Sequence, residues 1–264
     1  PLAGSPDVHL TDSARSAWAL LLAGFCRACD KSAGKVLLPA YIGYTEREGS
    51  GVFDPVRASG LAYEFFGVNA QLSTSDDTLS VRLAKGDIAI LLLVHWFGFA
   101  HTDLAEVRRL CDQHGVLLVE DCAHVLGPPY SGDQQLGKAG HAALYSVHKM
   151  YGGDRGGMLI VNEALPFELP LTKHRSDDDR LPETLLRIDA DALAIHRRAL
   201  YEAYGAAFRE VAGLTPLFPN LGSCAPQSFP VRIGDGLREP LYFELRRQGI
   251  ILTALYYQMI GEID

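Results

Sequence analysis

The sequence predicts an α/β fold, in which a mostly parallel β-sheet lies between layers of helices. Two uninterrupted apolar runs, 88–94 and 116–119, are typical of strands that are buried on both faces. The segment between them has apolar residues at helical spacing, with Thr102 or Asp103 as the N-cap and Gly115 as the residue that ends the helix. This strand–helix–strand alternation indicates parallel strands.

Further elements flank this unit. Ser13 is a suitable N-cap for a helix whose apolar residues keep to one broad face. The short apolar run 35–40, which contains Pro39, predicts a buried strand. Two more apolar strands are predicted at 144–147 and 158–162, on either side of a glycine-rich turn.

The character of the chain changes after residue 162. Residues 167–183 contain two prolines and three consecutive aspartates with little periodicity, which favours a linker or mobile loop. A helix over 191–211 follows, and then a strand–helix–strand pattern is predicted at 227–233, 237–248 and 249–253. We therefore expect a large domain over 1–166, a linker or mobile loop over 167–190, and a small, shortened C-terminal α+β domain over 191–264.

Composition limits the class of protein. The 264 residues are 48% hydrophobic and 21% charged, which are globular values, and the net charge of −8 disfavours a nucleic-acid surface. No apolar run approaches the roughly 20 residues of a membrane span, and residues 1–13 lack the pattern of a signal peptide. Five cysteines, including the pair Cys26 and Cys29, indicate reduced core residues. We expect a cytoplasmic protein that binds neither membranes nor nucleic acid.

Chemically active side chains follow three apolar strands. His95 and Asp121 come at or just after strand ends, and Lys149 follows a third strand. Because the carboxyl ends of parallel strands share one edge of a sheet, these residues are expected on one rim, where such sheets bind ligands. A carboxylate and a lysine are the groups that pyridoxal phosphate (PLP) chemistry needs, one for the pyridine nitrogen and one for the aldehyde.

The motifs around these residues resemble those of a known family. The sequence E-D-C-A-H at 120–124, S-V-H-K at 146–149 and G-G-M-L-I-V-N at 156–162 is similar to the DegT/DnrJ/StrS sugar aminotransferases. The segment 94–115, which begins V-H-W-F-G, is similar to another part of that family. The resemblance implies the PLP-dependent transferase fold.

The same resemblance implies roles for individual residues. Lys149 would bind the PLP aldehyde, Asp121 would pair with the ring nitrogen, and His124 would lie over the ring or at its phenolic oxygen. The phosphate would be bound by four residues, namely Ser13, Ala14, Arg15 and Ser146. Tyr44 is a candidate for stacking on the ring.

Three positions depart from the family pattern. Ser146 precedes Lys149 by three residues instead of five. Ala14 replaces a glycine, and Gly43 stands where an aromatic residue is expected, which leaves Tyr41 and Tyr44 as alternatives for the stacking ring.

By resemblance, the chain is a PLP-dependent aminotransferase that moves an amino group from glutamate or glutamine to a keto-sugar nucleotide or keto-cyclitol. The family also implies a homodimer with shared active sites. Two alternatives stay open: a PLP-dependent lyase, dehydratase or carbon–carbon bond-forming enzyme of secondary metabolism, which His148 beside the lysine favours, and a non-catalytic binding or sensing protein. The sequence predicts no metal centre, because an Asp-x-x-His pair is common by chance.

Overall fold

A seven-stranded sheet forms the centre of the fold in a computed structural model that describes residues 7–29, 34–46, 49–74, 76–100, 102–127, 136–170, 181–234 and 236–252. Its strands are β1 (Asp7–Thr11), β2 (Lys35–Pro39), β3 (Tyr63–Phe66), β4 (Ile88–Val94), β5 (Leu117–Cys122), β6 (Ala142–Tyr145) and β7 (Gly157–Val161). The order across the sheet is β1-β7-β6-β5-β4-β2-β3. Strands β3, β2, β4, β5 and β6 are parallel, whereas β7 is antiparallel to both β6 and β1. The predicted mostly parallel sheet is confirmed.

Helices cover both faces of this sheet. In chain order, the helices are α1 (Ala14–Ala28), α2 (Phe53–Ser59), α3 (Asp76–Leu83), α4 (Leu104–His114), α5 (Val147–Tyr151), α6 (Leu181–Arg187), α7 (Ala190–Phe208) and α8 (Arg238–Arg247). Buried side chains of α1 and α2 pack with one face of the sheet, and those of α3, α4, α6 and α7 pack with the other. Within the described ranges, no helix is both long and apolar enough to cross a membrane.

The predicted β4–α4–β5 unit is confirmed. β4 has the predicted bounds, and Asp103 is the N-cap of α4, since its carboxylate accepts hydrogen bonds from the amides of Ala105 and Glu106. Gly115 ends this helix at φ 64°, a left-handed conformation that glycine adopts readily. Cys26 and Cys29 are half-buried at the end of α1 and form no disulfide bond with each other.

The C-terminal part differs from the prediction. Residues 249–252 form no strand, so the predicted strand 249–253 is wrong over its described residues. The predicted strand 227–233 shrinks to β9 (Val231–Ile233), which pairs antiparallel with β8 (Leu214–Pro216). Instead of a strand–helix–strand unit, the chain forms a two-stranded sheet followed by α8. Helix α6 lies inside the predicted linker 167–190, of which residues 171–180 lie outside the described residues.

A close backbone contact joins β7 to the beginning of α1. Thr11 of β1 is paired with Gly157 of β7, and the amide of Gly156 donates to the carbonyl of Asp12 at 2.8 Å. A Cβ atom on Gly157 would lie 2.0 Å from the carbonyl carbon of Ser13. Gly157 is therefore required for α1 to begin at the same edge of the sheet as the carboxyl ends of the parallel strands.

This contact predicts a steric effect of Gly157→Ala. Because the new methyl group has no space beside the Ser13 backbone, we expect a loss of about 3 kcal/mol in the free energy of unfolding, measured by urea denaturation. Gly67→Ala is the matched control, since a Cβ atom there meets no atom within 4 Å. Equal stability of the two variants would contradict the close contact.

Candidate active site

The rim predicted from the sequence exists at the carboxyl ends of β4, β5 and β6. In the register of these strands, Val94 pairs with Asp121, and Asp121 pairs with Leu144. His95 directly follows β4 and Ser146 directly follows β6, and these two strands flank β5. Three polar residues from separate parts of the sequence are therefore neighbours across the sheet.

These residues border one cavity of about 620 Å³. All eight residues predicted to act on the cofactor line it, namely Ser13, Ala14, Arg15, Tyr44, Asp121, His124, Ser146 and Lys149. The structure thus brings the predicted site residues together from α1, the loop after β2, and the ends of β5 and β6.

Asp121 presents a buried carboxylate to this cavity. Its side chain is on the sheet face that packs against α1 and α2, and the residue is 9% exposed. Oδ1 accepts a hydrogen bond from the amide of Ala123 at 2.9 Å. Burial raises the pKa of Asp121, while the Ala123 amide and the positive charge of Lys149 act in the opposite direction. A cation placed beside this carboxylate would therefore be strongly favoured.

Lys149 lies on the short helix α5 rather than directly at a strand end. The predicted strand 144–147 stops at Tyr145, and Ser146 is the N-cap of α5. The side chain of Lys149 borders the cavity and is solvent-exposed. Its backbone carbonyl accepts a hydrogen bond from Nε2 of Gln227 at 3.3 Å, which connects the C-terminal region to the lysine-bearing helix.

His124 is held in one protonation state. Its Nδ1 accepts a hydrogen bond from the backbone amide of Phe97 at 3.2 Å, and the two rings stack at 6.0 Å between centroids. Burial and then the positive charge of Lys149 lower the pKa of His124 from 6.5 to about 3. Because Nδ1 is an acceptor, a neutral His124 carries its proton on Nε2 and can donate from that atom.

The turn that supplies this amide has an unusual backbone. Phe97 has φ 60° and ψ 6°, a left-handed conformation that costs a non-glycine residue about 1 kcal/mol or more. Gly98 follows at φ 87°, and a Cβ atom there would lie 2.6 Å from the carbonyl oxygen of His124. The turn is therefore pressed closely against the segment that carries His124.

The N-terminus of α1 forms one wall of the cavity. Ser13 caps the helix, since its Oγ accepts a hydrogen bond from the amide of Ser16 at 3.1 Å. Ala14 and the exposed Arg15 continue this wall. A helix N-terminus with an adjacent arginine is a suitable environment for an anion.

Ser146 also lines the cavity and is 2% exposed. Its Oγ is 3.3 Å from Nδ1 of His148, and that nitrogen also lies 3.2 Å from the carbonyl oxygen of Gly156. The histidine beside Lys149 is thus engaged with the glycine-rich turn.

Several aromatic rings line the cavity besides Tyr44. Tyr41 and Trp96 contact each other edge to face at 6.1 Å, and Trp18 donates from its indole to the carbonyl of Val52 at 3.1 Å. The sequence did not single out Trp18, Trp96 or the buried Ser50 as site residues. The segment V-H-W-F-G after β4 was the available signal for Trp96.

A buried group of metal-binding residue types lies below the rim. Ligand atoms of His95, Glu120 and Cys122 are within 4.8 Å of one another. Nε2 of His95 and Oε2 of Glu120 are 2.6 Å apart, so these two atoms form a hydrogen bond with each other. Burial raises the pKa of the Cys122 thiol well above its ordinary value, which disfavours the thiolate that binds metals.

The depressed pKa of His124 predicts an acid-sensitive stability. An unfolded chain protonates this histidine below about pH 6.5, whereas the folded chain does so near pH 3, so stability is lost as the pH falls through this window. When the pH falls from 7 to 5, the free energy of unfolding of the parent should drop by about 1–2 kcal/mol more than that of His124→Gln, measured by urea denaturation. Replacing the exposed His196 by glutamine should leave the pH dependence unchanged. Identical profiles for His124→Gln and the parent would contradict a buried, neutral His124.

Comparison with known proteins shows which proteins this chain resembles. Residues 59–166 match the model of the DegT/DnrJ/EryC1/StrS aminotransferase family. GDP-perosamine synthase of Vibrio cholerae is 33% identical over 101 residues, which are 38% of this chain and 26% of that protein. L-glutamine:2-deoxy-scyllo-inosose aminotransferase of Streptoalloteichus tenebrarius is 32% identical over 132 residues, 44% of this chain and 31% of that protein. The matched segments thus span less than a third of either relative.

The fold has a similar counterpart among solved structures. PseC of Helicobacter pylori, an aminotransferase involved in the biosynthesis of pseudoaminic acid, superposes with a TM-score of 0.74 at 18% identity. The superposition covers 97% of this chain and 73% of that one. This chain therefore has the α/β fold of the PLP-dependent aminotransferases and matches the DegT/DnrJ/EryC1/StrS aminotransferase family through residues 59–166.

Proposed function

We propose that this protein is a PLP-dependent aminotransferase. The observation that carries the proposal is the placement of a buried carboxylate, Asp121, and a lysine, Lys149, on one cavity at the ends of two neighbouring parallel strands. A carboxylate shielded from water and an amine within its electrostatic influence are the two protein groups that PLP chemistry requires.

The residues around the cavity fit this cofactor. Asp121 offers a negative charge in a buried setting, which suits a protonated ring nitrogen. The beginning of α1, with Ser13, Ala14 and Arg15, offers an anion site for the phosphate, and Ser146 offers a further hydroxyl. Tyr44 offers an aromatic face. The cavity of about 620 Å³ lies within the range of small-molecule sites.

Three side chains of the protein would have separate roles in the reaction. When bound, PLP supplies an electron sink for charge that develops on the substrate carbon. Asp121 holds the proton on the ring nitrogen, because separating the two charges in a buried site is unfavourable. Lys149 would hold the cofactor through its aldehyde, and its free Nζ would take and return the proton at the substrate carbon that bears the amino group. Nε2 of His124 would donate a hydrogen bond to an oxygen atom of the bound cofactor or substrate.

The names of two relatives support a proposal for the substrate class. One is a GDP-perosamine synthase, and another uses L-glutamine and 2-deoxy-scyllo-inosose. We propose that this chain moves an amino group from glutamate or glutamine to a keto-sugar nucleotide or keto-cyclitol. We further propose a cytoplasmic homodimer in which the partner subunit completes each active site, as the family resemblance implies.

A first experiment locates the cofactor-binding lysine. Protein supplied with PLP should show a visible absorption band, and borohydride should remove the band while attaching the cofactor to Lys149, as shown by peptide mass mapping. Lys149→Ala should abolish both effects. Lys138→Ala, at an exposed position outside the cavity lining, is the control and should behave like the parent. Attachment at another lysine would contradict the assignment.

A second experiment separates the function classes with one half-reaction. Because an aminotransferase accepts the amino group before it meets the sugar, glutamate or glutamine alone should bleach the visible band and release one equivalent of 2-oxo acid per site. A keto-sugar should then restore the band. Consumption of a substrate without donor-dependent bleaching would favour the lyase alternative, and no spectral response to any donor or substrate would favour a binding protein.

The same half-reaction tests Asp121. Asp121→Asn removes the charge that holds the ring proton, so bleaching should slow by about 10²–10³-fold in stopped-flow measurements. Asp112→Asn is the control, because Asp112 is an exposed partner of Arg108 on α4. A rate for Asp121→Asn within a few-fold of the parent would show that Asp121 does not act on the cofactor.

A further inference from the structure

Glu120 is a fully buried carboxylate for which the proposed reaction has no use. It precedes Asp121 on β5 and therefore points to the opposite face of the sheet, where it is 0% exposed. Its Oε1 accepts from the amide of Gly140 at 2.6 Å, and its Oε2 accepts from the amide of Gly137 at 2.8 Å. Nε2 of His95 lies 2.6 Å from the same Oε2.

These contacts keep Glu120 ionised. Burial by itself raises its pKa, but the hydrogen bond from His95 and the two glycine amides outweigh burial and lower the pKa below the ordinary value. A buried carboxylate that is satisfied in this way is costly to disturb, because loss of a partner leaves a charge without compensation. The side chain of His95 is consequently fixed at one end of the rim.

The backbone of His95 connects the buried Glu120 to residues that line the cavity. Its amide donates to the carbonyl of Asp121 at 3.0 Å. Two residues later, the amide of Phe97 donates to Nδ1 of His124. The segment 95–98 is thus attached at three points: to Glu120 by a side chain, to Asp121 by the backbone, and to His124 by the strained Phe97.

The strain explains why an anchor is needed. The left-handed conformation of Phe97 is unfavourable in isolation and persists where the surroundings enforce it. If the hydrogen bond between His95 and Glu120 is weakened, the turn can relax and its amide can leave His124. The histidine would then lose the contact that assigns its proton to Nε2.

We propose that Glu120 and His95 are positioning residues, which hold the turn 95–98 so that Asp121 and His124 face the cavity in fixed orientation and His124 keeps its proton on Nε2. The link to the cofactor rests on the proposed function, whereas the link to His124 is a property of the protein alone.

The test of the second link needs no cofactor. Nitrogen NMR of protein labelled at the histidine rings distinguishes a protonated from an unprotonated ring nitrogen, and His124→Gln identifies the His124 signals. The parent should show Nδ1 unprotonated and Nε2 protonated. In Glu120→Gln, which removes the charge at similar size, the two nitrogens should shift toward a mixture of tautomers. Signals identical to the parent in a folded Glu120→Gln protein would overturn the proposal.

A matched control separates positioning from general destabilisation. Glu64→Gln weakens an ion-pair network with Arg82 and Lys35 at the β3 edge of the sheet, and should leave the His124 signals unchanged. A shift of those signals in Glu64→Gln as large as in Glu120→Gln would count against a specific role for Glu120.

Variants of His95 keep the proposal testable if Glu120→Gln fails to fold. His95→Gln retains a nitrogen donor for Glu120 and should preserve the tautomer of His124, whereas His95→Ala should lose it. Rescue by glutamine supports positioning through the hydrogen bond, and the same NMR signals in both variants contradict it.

PLP titration followed by absorbance tests the link to the cofactor. Glu120→Gln should bind PLP about tenfold more weakly than the parent, and Glu64→Gln should bind it equally. Failure of the parent to bind PLP would contradict the proposed function, and the NMR result would still decide the role of Glu120. Parent-like affinity of Glu120→Gln would overturn its role toward the cofactor.

Discussion

Two adjacent carboxylates, Glu120 and Asp121, are buried at the end of the central strand β5, and the site depends on how differently they are compensated. Each buried charge carries a desolvation cost of several kcal/mol. Glu120 meets this cost with three hydrogen bonds, so its pKa is lowered. Burial raises the pKa of Asp121, because one amide hydrogen bond and the positive charge of Lys149 only partly offset it. The two neighbouring carboxylates therefore differ: Glu120 has its hydrogen-bond partners within the protein, whereas Asp121 would be stabilised by an added cation.

The sequence predicted the centre of the sheet better than its edges. β4 and α4 were predictable because a two-face-buried strand and a capped amphipathic helix leave uninterrupted patterns of residues. β1 was not predicted: DVHLT alternates polar and apolar residues, but it has only five residues, and its role as an antiparallel partner of β7 depends on residues about 150 positions away. The run Gly249–Leu252 is apolar but forms no strand, because hydrophobicity alone does not supply a pairing partner.

In the site, too, features set by the local sequence could be predicted, and features set by distant contacts could not. Residues at strand ends, such as Asp121, were predictable because parallel strands share one rim. The tautomer of His124 was not, because it depends on an amide 27 residues earlier in a left-handed conformation that no local pattern demands. Likewise, the sequence did not reveal that Lys149 lies on a short helix, because the apolar run 144–147 predicted a strand up to Val147. The positions of the polar residues could be predicted from the sequence, but the orientation of their side chains could not.

Backbone contacts hold the elements of the rim together. The side chains that line the cavity contribute less to this arrangement. The amide of Gly156 binds Asp12, that of His95 binds Asp121, and the Gly157 backbone lies against Ser13. These contacts set the relative positions of α1, β5 and the turn before any cavity side chain is considered. Cavity side chains that do not take part in them, such as Tyr44, can therefore change with modest cost to the fold. We therefore expect substitutions of these glycines or of the Glu120–His95 pair to move the residues that line the cavity, whereas substitutions of Tyr44 should change the lining alone.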